Sequence, residues 1–139
     1  FVPVGGGGLI AGVAAYVKAL APEKLVIGVE ADEAASMKAA RDAGERVVLE
    51  RIGIFADGAA VKQVGVEPFR IARELVDEVL TVTIDEICAA VKDIFEDTRA
   101  IAEPAGALAL AGLKQYAQRE RCKDKELVAI LSGANVNFD

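Results

Sequence analysis

Short apolar runs rich in valine, isoleucine and leucine alternate along the chain with longer stretches in which apolar residues recur every three or four positions. The first pattern is typical of buried strands, and the second is typical of helices with one apolar face. The apolar runs predict strands over residues 1–4, 25–29, 78–82 and 127–131. The helical spacing predicts helices over residues 9–20, 33–43, 68–76, 84–97 and 104–119, and residues 45–65, which show little periodicity, are predicted to form a short strand and a functional loop.

Local signals mark several of these helix ends. Pro22 cannot continue a helix, and Gly44 suits the left-handed position that follows a last helical turn. Thr83 and Glu86 have the spacing of a capping box, and Pro104 fits a first helical turn. The predicted apolar faces carry Leu9, Val13, Val17 and Leu20 in the first helix and Ile87, Val91, Ile94 and Phe95 in the fourth.

The order of elements predicts the fold class. Strands that are apolar on both faces and separated by helices indicate an α/β protein, with a parallel sheet and helices on both faces. The length of 139 residues suffices for one core. Because the chain opens on Phe1 inside an apolar strand, we interpret residues 1–139 as a single partial domain of a longer protein.

Composition excludes several classes of function. With 16 basic and 22 acidic residues, the net charge is −6, which argues against nucleic acid or an anionic membrane as a partner. The chain has no histidine, so a Ser-His-Asp triad and histidine metal sites are excluded within it. Its two cysteines, Cys88 in an apolar helical pattern and Cys122 in a charged segment, and the lack of a bilayer-length apolar run lead us to expect a cytoplasmic protein.

Four consecutive glycines, Gly5, Gly6, Gly7 and Gly8, follow the first strand and precede a helix. Each glycine costs about 0.5–1 kcal/mol of conformational entropy relative to alanine, so some feature must require a bare backbone. Without Cβ atoms, their amides and that of Leu9 can surround an anion at the positive end of the helix dipole. The loop therefore predicts a phosphate site, against the alternative of a tight turn in an α/β module without a ligand.

Two cofactors fit such a phosphate site. Gly6, Gly8 and Ala11 match the dinucleotide fingerprint, and Glu30 ends the next strand where an acid would meet a ribose hydroxyl, as in a Rossmann-like half-domain. Pro3 and the additional glycines depart from that fingerprint. Pyridoxal phosphate is the second candidate, because its single phosphate suits a compact tetraglycine loop.

Five segments of the chain together carry a resemblance to a known family. They are Val2-Pro3-Val4-Gly5-Gly6-Gly7-Gly8-Leu9, Phe55-Ala56-Asp57-Gly58, Phe95-Glu96-Asp97, Ala102-Glu103-Pro104-Ala105-Gly106-Ala107 and Leu131-Ser132-Gly133-Ala134-Asn135-Val136-Asn137-Phe138. In this combination the chain resembles the pyridoxal-phosphate-dependent threonine dehydratases (threonine ammonia-lyases) of the biosynthetic type. The resemblance implies the fold of the large domain of tryptophan-synthase-β-like, fold type II enzymes.

The resemblance also implies roles for individual residues. The amides of Gly5–Gly8 and Leu9 would bind the cofactor phosphate, and the Ser132 hydroxyl would meet the pyridine nitrogen. Asp57 and Gly58 would lie on a loop that approaches the substrate and the cofactor face. Glu103 has two interpretations, an accessory group near the cofactor or a cap for the helix that begins at Pro104.

Two family features are missing from the chain. Related racemases carry a Glu-x-x-x-Ala-x-Asp cation site; Glu30 and Ala34 match it, but Ser36 replaces the aspartate, so we predict no metal site. The Schiff-base lysine of the family lies in a Ser-x-Lys-x-Arg-Gly segment that this chain lacks. We therefore assign no catalytic residue here and expect the isolated chain to be inactive. The resemblance implies that the full-length protein is a homo-oligomer that converts L-threonine to 2-oxobutanoate and ammonia for isoleucine biosynthesis.

Overall fold

Three parallel strands form the sheet in the computed structural model, which describes residues 1–136. The strands are β1 (Val2–Pro3), β2 (Ile27–Ala31) and β3 (Glu78–Val82), and they lie side by side in that order. The helices are α1 (Gly8–Leu20), α2 (Ser36–Ala43), α3 (Val66–Leu75), α4 (Ile84–Thr98) and α5 (Pro104–Arg119), and short 3-10 helices cover Asp32–Ala34 and Asp57–Ala59. No helix among the described residues is both long enough and apolar enough to cross a bilayer.

The predicted local signals act at the helix ends. The Thr83 hydroxyl accepts a hydrogen bond from the Glu86 amide at 3.3 Å, and the Glu86 carboxylate accepts one from the Thr83 amide at 2.7 Å. Gly44 follows α2 with φ +76°, and Pro104 is the first residue of α5. These contacts satisfy backbone groups that the first and last helical turns leave free.

Alternate residues of the central strand point into two separate cores, one on each face of the sheet. Val29 and Ala31 of β2 contact α4 and α5, while α1, α2 and α3 cover the opposite face. Because side chains alternate along a strand, Gly28 and Glu30 face the second layer. The prediction of a parallel sheet with helices on both faces is confirmed.

The prediction of a fourth strand over residues 127–131 is wrong, because the structure has no strand there. The segment runs beside β1, where the Phe1 amine donates to the Val128 carbonyl at 2.7 Å and the Ile130 amide donates to the Phe1 carbonyl at 3.1 Å. Among the described residues, these two bonds join the segment to Phe1 alone, the residue before β1, which is too short a ladder for a regular strand. The strand predicted within residues 45–65 is also absent from the described structure.

Three predicted helix starts and two predicted apolar positions are corrected by the packing. The 3-10 helix at Asp32–Ala34 precedes α2, α3 starts at Val66, and α1 starts at Gly8. In α1 the buried residues are Ile10, Ala11 and Ala14, whereas Leu9 and Leu20 are 46% and 68% exposed. The helix approaches the sheet there because Gly28 leaves room for Ile10, whose Cδ1 would lie 2.7 Å from a Cβ at that position.

Helix α4 shows the same effect of helical geometry. Ile87 and Ile94 are buried, so their neighbours Cys88 and Phe95, about 100° further around the helix, face outward. Phe95 is 48% exposed and lies beneath the Arg99 guanidinium, 5.6 Å from its ring centre. The predicted core position of Phe95 is therefore wrong, and Cys88 is exposed although it lies in an apolar helical pattern.

Candidate functional site

The tetraglycine loop leaves a row of backbone amides without acceptors. The strand pairing extends to Val4, whose amide donates to the Val29 carbonyl at 2.9 Å, and helical bonding resumes where the Ala11 amide donates to the Gly7 carbonyl at 3.0 Å. Between these points, no amide of Gly5 to Leu9 donates to another residue of the described range 1–136. Gly6, Gly8 and Leu9 are exposed, while Gly5 is half-buried and Gly7 is buried. A row of free amides at the start of a helix that is open on one side is suited to an anion.

The four glycines divide into two pairs with different roles. A Cβ on Gly5 would lie 3.0 Å from Ala59 Cα, and one on Gly7 would lie 2.9 Å from both Met37 Cε and Pro68 Cβ. Gly7 also has φ +89°, which side-chain-bearing residues rarely adopt. Packing therefore explains Gly5 and Gly7. A Cβ on Gly6 or Gly8 would meet no atom within 4 Å, so these two glycines keep open space beside the free amides.

A cavity of about 220 Å³ opens on this loop at the carboxyl end of β1. It is lined by Pro3, Gly5, Gly6, Gly7, Gly8, Leu9, Gly58, Ala59, Glu103, Ala105 and Ser132. The structure thus brings the glycine loop together with Gly58, Glu103 and Ser132, three residues that the sequence analysis singled out. Carboxyl ends of parallel strands are where α/β sheets generally bind ligands.

Asp57 is the predicted site residue that does not line this cavity. Its carboxylate accepts a hydrogen bond from the next amide, that of Gly58, at 2.9 Å. That contact stabilises the 3-10 helix Asp57–Ala59, which presents Gly58 and Ala59 to the cavity. Ala59 and Ala105 also line the cavity, although no sequence motif marked them as site residues; Ala105 lies within a quoted motif and Ala59 directly follows one. Their small side chains allow the close packing of this wall.

Glu103 occupies the N-cap position of α5, but its side chain does not cap the helix among the described residues, so the interpretation of its carboxylate as a cap is wrong. It precedes the helix with φ −75° and ψ 160°, and its side chain makes no capping hydrogen bond. The carboxylate instead lies over Gly133, where an added Cβ would be 1.8 Å from Oε1, and Oε1 is 3.7 Å from the Cβ position of Gly58. The Glu103 amide donates to the Gly133 carbonyl at 3.1 Å. This bond holds residues 132–136, called the Ser132 turn below, against the start of α5.

Glu30 is buried in the layer of α1, α2 and α3. Its two carboxylate oxygens accept hydrogen bonds from the Met37 and Lys38 amides at the start of α2, at 2.7 and 2.8 Å. Burial raises the pKa of Glu30 to about 7, against the lowering effect of these amides. Because both oxygens are engaged by α2, the dinucleotide interpretation through Glu30 is not supported.

Two further positions from the sequence analysis have simple outcomes. Ser36 is fully buried, and its hydroxyl has no hydrogen-bond partner among the described residues. Asn135 is exposed on the Ser132 turn. Asn137 and Phe138, the last residues of the quoted motif, lie outside the described residues.

A larger crevice of about 930 Å³ lies at the opposite end of the sheet. Residues at the amino ends of β1 and β2 line it, together with Val17, Tyr116 and Val128. None of the predicted site residues borders this crevice. The smaller cavity beside the glycine loop is therefore the candidate site.

The chain is similar in sequence to known pyridoxal-phosphate-dependent enzymes. The family described as pyridoxal-phosphate dependent enzyme matches residues 1–133. The biosynthetic L-threonine dehydratase of Burkholderia multivorans is 58% identical over all 139 residues, which is 27% of that relative's length. The biosynthetic chloroplastic threonine dehydratase of Arabidopsis thaliana is 60% identical over the whole chain and 24% of its own length. The chain thus spans about a quarter of the length of these curated relatives.

Solved structures share the fold as well as the sequence. The processed form of threonine deaminase isoform 2 from Solanum lycopersicum is similar at 47% identity with a TM-score of 0.98, covering 99% of this chain and 40% of that one. Serine racemase from Dictyostelium discoideum is similar at 33% identity with a TM-score of 0.86, covering 99% of this chain and 43% of that one. These structural neighbours have the fold of fold type II enzymes, as the sequence resemblance implied.

Proposed function

The chain belongs to the family of pyridoxal-phosphate-dependent enzymes, and we propose that it forms the cofactor-phosphate part of a threonine dehydratase that converts L-threonine to 2-oxobutanoate and ammonia. The observation that carries this proposal is the row of free amides from Gly5 to Leu9 beside the open space at Gly6 and Gly8. The relatives named as biosynthetic threonine dehydratases support the choice of reaction.

The residues present fit a phosphorylated cofactor. Bare glycine amides at the start of α1 offer hydrogen-bond donors and the positive end of a helix dipole to a phosphate. This holding mechanism needs no basic side chain, which suits a chain of net charge −6. Hydrogen bonds from neutral donors to a charged phosphate are stronger than those between neutral groups, so five such amides would anchor the group firmly.

The Ser132 hydroxyl lines the same cavity and would meet the pyridine nitrogen of the cofactor. A neutral hydroxyl can donate to this nitrogen or accept from it, but it does not hold the nitrogen protonated as a carboxylate would. Pyridoxal phosphate, when bound, supplies the electron sink for loss of the α-proton and the β-hydroxyl of the amino acid. With Ser132 as its partner, the cofactor ring would withdraw electrons less strongly than a ring with a protonated nitrogen, which suits β-elimination.

Gly58 and Ala59 would form the wall that faces the bound group, with Asp57 holding their turn through its bond to the Gly58 amide. Glu103 places a half-buried carboxylate on the same cavity, between Gly58 and Gly133. We assign it an accessory role in orienting the Ser132 turn. The Schiff-base lysine and the rest of the substrate site would come from parts of the full-length protein outside these residues.

The test is production of 2-oxobutanoate by the full-length protein from L-threonine, with L-serine as the comparison substrate. We expect turnover that depends on added pyridoxal phosphate and is inhibited when inorganic phosphate competes during reconstitution of the cofactor-free protein. Turnover of neither amino acid by protein that has bound the cofactor would overturn the proposed reaction. The isolated chain of 139 residues is expected to give no turnover in the same assay.

We also propose that the full-length protein is a homo-oligomer and is located in the cytoplasm. The homo-oligomeric state follows from the family resemblance. The location follows the bacterial relatives, whereas plant and yeast relatives are named chloroplastic or mitochondrial. Sedimentation of the full-length protein and fractionation of the cells that produce it test these two points.

A further inference from the structure

Gly58 and Ala59, which line the cavity, belong to a long segment, residues 45–65, without strands in the described structure. Within it, the 3-10 helix Asp57–Ala59 is closed by two local bonds, from the Ala59 amide to the Ala56 carbonyl and from the Ala60 amide to the Asp57 carbonyl. Such local bonds shape the turn but do not set its position relative to the glycine loop. That position must come from contacts with the rest of the molecule.

Glu33 supplies two of these contacts on the approach to the wall. Its backbone carbonyl accepts a hydrogen bond from the Gly53 amide at 2.8 Å, and its side-chain Oε1 accepts one from the Phe55 amide at 3.0 Å. Both bonds come from a single residue of the 3-10 helix that directly follows β2. A residue attached to the sheet thus binds the segment two residues before Asp57.

Gly53 and Glu33 also fit each other sterically. A Cβ added at Gly53 would lie 1.8 Å from Glu33 Cδ and 2.0 Å from Oε2, so the carboxylate occupies the space that any other side chain would need. Glu33 forms no ion pair among the described residues, and it is half-buried against this loop. Its carboxylate is therefore used for the loop amide and not for surface charge.

We propose that Glu33 is a positioning residue for the reaction, fixing Gly53 and Phe55 so that Gly58 and Ala59 stay against the glycine loop. This inference rests on the proposed function. Ala59 packs closely on Gly5, since a Cβ added at Gly5 would lie 3.0 Å from Ala59 Cα. A displacement of about 1 Å near a reacting group can reduce turnover by about 10²-fold.

The free amides of Gly5 to Leu9 do not depend on Glu33, so the cofactor should still bind when Glu33 is replaced. In the full-length protein we expect Glu33→Ala to reduce kcat/KM for L-threonine by about tenfold to a hundredfold. The cofactor absorbance and the affinity for pyridoxal phosphate should stay within about twofold of wild type. Glu33→Gln retains a side-chain oxygen for the Phe55 amide and should recover most of the loss.

Asp32→Ala is the matched control, because Asp32 lies on the same 3-10 helix, is exposed and makes no hydrogen bond among the described residues. Gly53→Ala supplies an independent perturbation, since the new methyl would displace the Glu33 carboxylate. The double variant of Glu33→Ala and Gly53→Ala should have a kcat/KM no lower than Gly53→Ala alone, because the carboxylate that the new methyl would contact is then absent. Such non-additivity indicates direct coupling of the two positions.

Three results would overturn the proposal. The first is a kcat/KM of Glu33→Ala within twofold of the Asp32→Ala value. The second is a fall in kcat/KM in Glu33→Gln equal to that in Glu33→Ala. The third is a fall in kcat/KM of Glu33→Ala that matches its fall in folded fraction, measured by urea unfolding. Failure of the proposed function is a separate result, since wild-type protein would then not convert L-threonine. In that case, hydrogen exchange at the Phe55 amide decides: protection lost in Glu33→Ala and kept in Asp32→Ala supports the positioning role, and equal protection refutes it.

Discussion

Replacing Gly6 with alanine should separate cofactor binding from folding. A methyl group at Gly6 meets no atom within 4 Å, and Gly6 is not among the glycines with positive φ. Alanine reduces the freedom of the unfolded chain, so the cofactor-free Gly6→Ala protein should be as stable as wild type or more stable by about 0.4–1 kcal/mol. The same methyl would fill the space beside the free amides and weaken phosphate binding.

The size of the binding effect follows from the hydrogen bonds lost. A hydrogen bond to a charged group contributes about 1.5–3 kcal/mol, and every 1.4 kcal/mol is about tenfold in affinity. Displacing a phosphate from one amide should thus raise the dissociation constant of pyridoxal phosphate by at least about tenfold. Absorbance titration of cofactor-free full-length protein measures this constant, and urea unfolding of the same samples measures stability.

Gly7→Ala should behave in the opposite way. The left-handed backbone at φ +89° costs about 1–2 kcal/mol for alanine, and overpacking against Met37 and Pro68 costs a further amount of about 1–3 kcal/mol. Gly12→Ala, in the exposed part of α1, is the control for a glycine substitution with no role at the cavity. The reasoning is wrong if Gly6→Ala binds pyridoxal phosphate with wild-type affinity, or if Gly7→Ala is as stable as Gly6→Ala.

Other substitutions test the packing and the buried charge of the same protein. Gly12→Ala should stabilise α1 by about 0.5–1 kcal/mol. Gly112→Ala should destabilise the fold by about 1–3 kcal/mol, because its Cβ would lie 2.4 Å from Val29 Cγ2. Equal unfolding midpoints of the two variants in guanidinium chloride would contradict this. Burial raises the pKa of Glu30 from 4.5 to about 7, so the folded protein keeps this proton at pH values where the unfolded chain has lost it. The free energy of unfolding should therefore fall as the pH rises from 4.5 to 7, by roughly 3 kcal/mol in total. Glu30→Gln should remove this part of the pH dependence in urea unfolding between pH 5 and 8, and an unchanged slope would refute the assignment. Thr83→Ala removes one half of the capping box of α4 and should lower the unfolding free energy by about 1 kcal/mol, measured by thermal or urea unfolding against wild type.

Helix ends were predictable from the sequence because their signals act over a few residues. Thr83 and Glu86 meet across a single turn, and Gly44 and Pro104 act through their own backbone conformation, so no distant part of the chain is needed. The alternation of strand and helix patterns predicted the parallel sheet for a similar reason. Apolar runs require burial on both faces, and only helical layers provide it.

The sequence did not predict which of two adjacent apolar residues in a helix is buried, because packing against the sheet decides this. The choice between Ile94 and Phe95 depends on which residue the helix turns toward the sheet, and Gly28 decides the corresponding choice for Ile10 in α1. The segment at 127–131 has a strand-like composition, but within residues 1–136 its backbone hydrogen bonds go only to Phe1. Composition cannot reveal the number of partners that a strand will meet.

At the candidate site, the sequence alone determined that a glycine loop follows a strand and precedes a helix, and it predicted a phosphate site there; its motifs pointed to Gly58, Glu103 and Ser132. Only the tertiary structure decided that Gly5 and Gly7 serve packing while Gly6 and Gly8 keep space open. The same holds for Glu103 facing the cavity and for the buried bonds of Glu30. Parallel topology brings strand ends and turns from distant parts of the chain to one edge, and the direction of each side chain there depends on neighbours that local sequence does not specify.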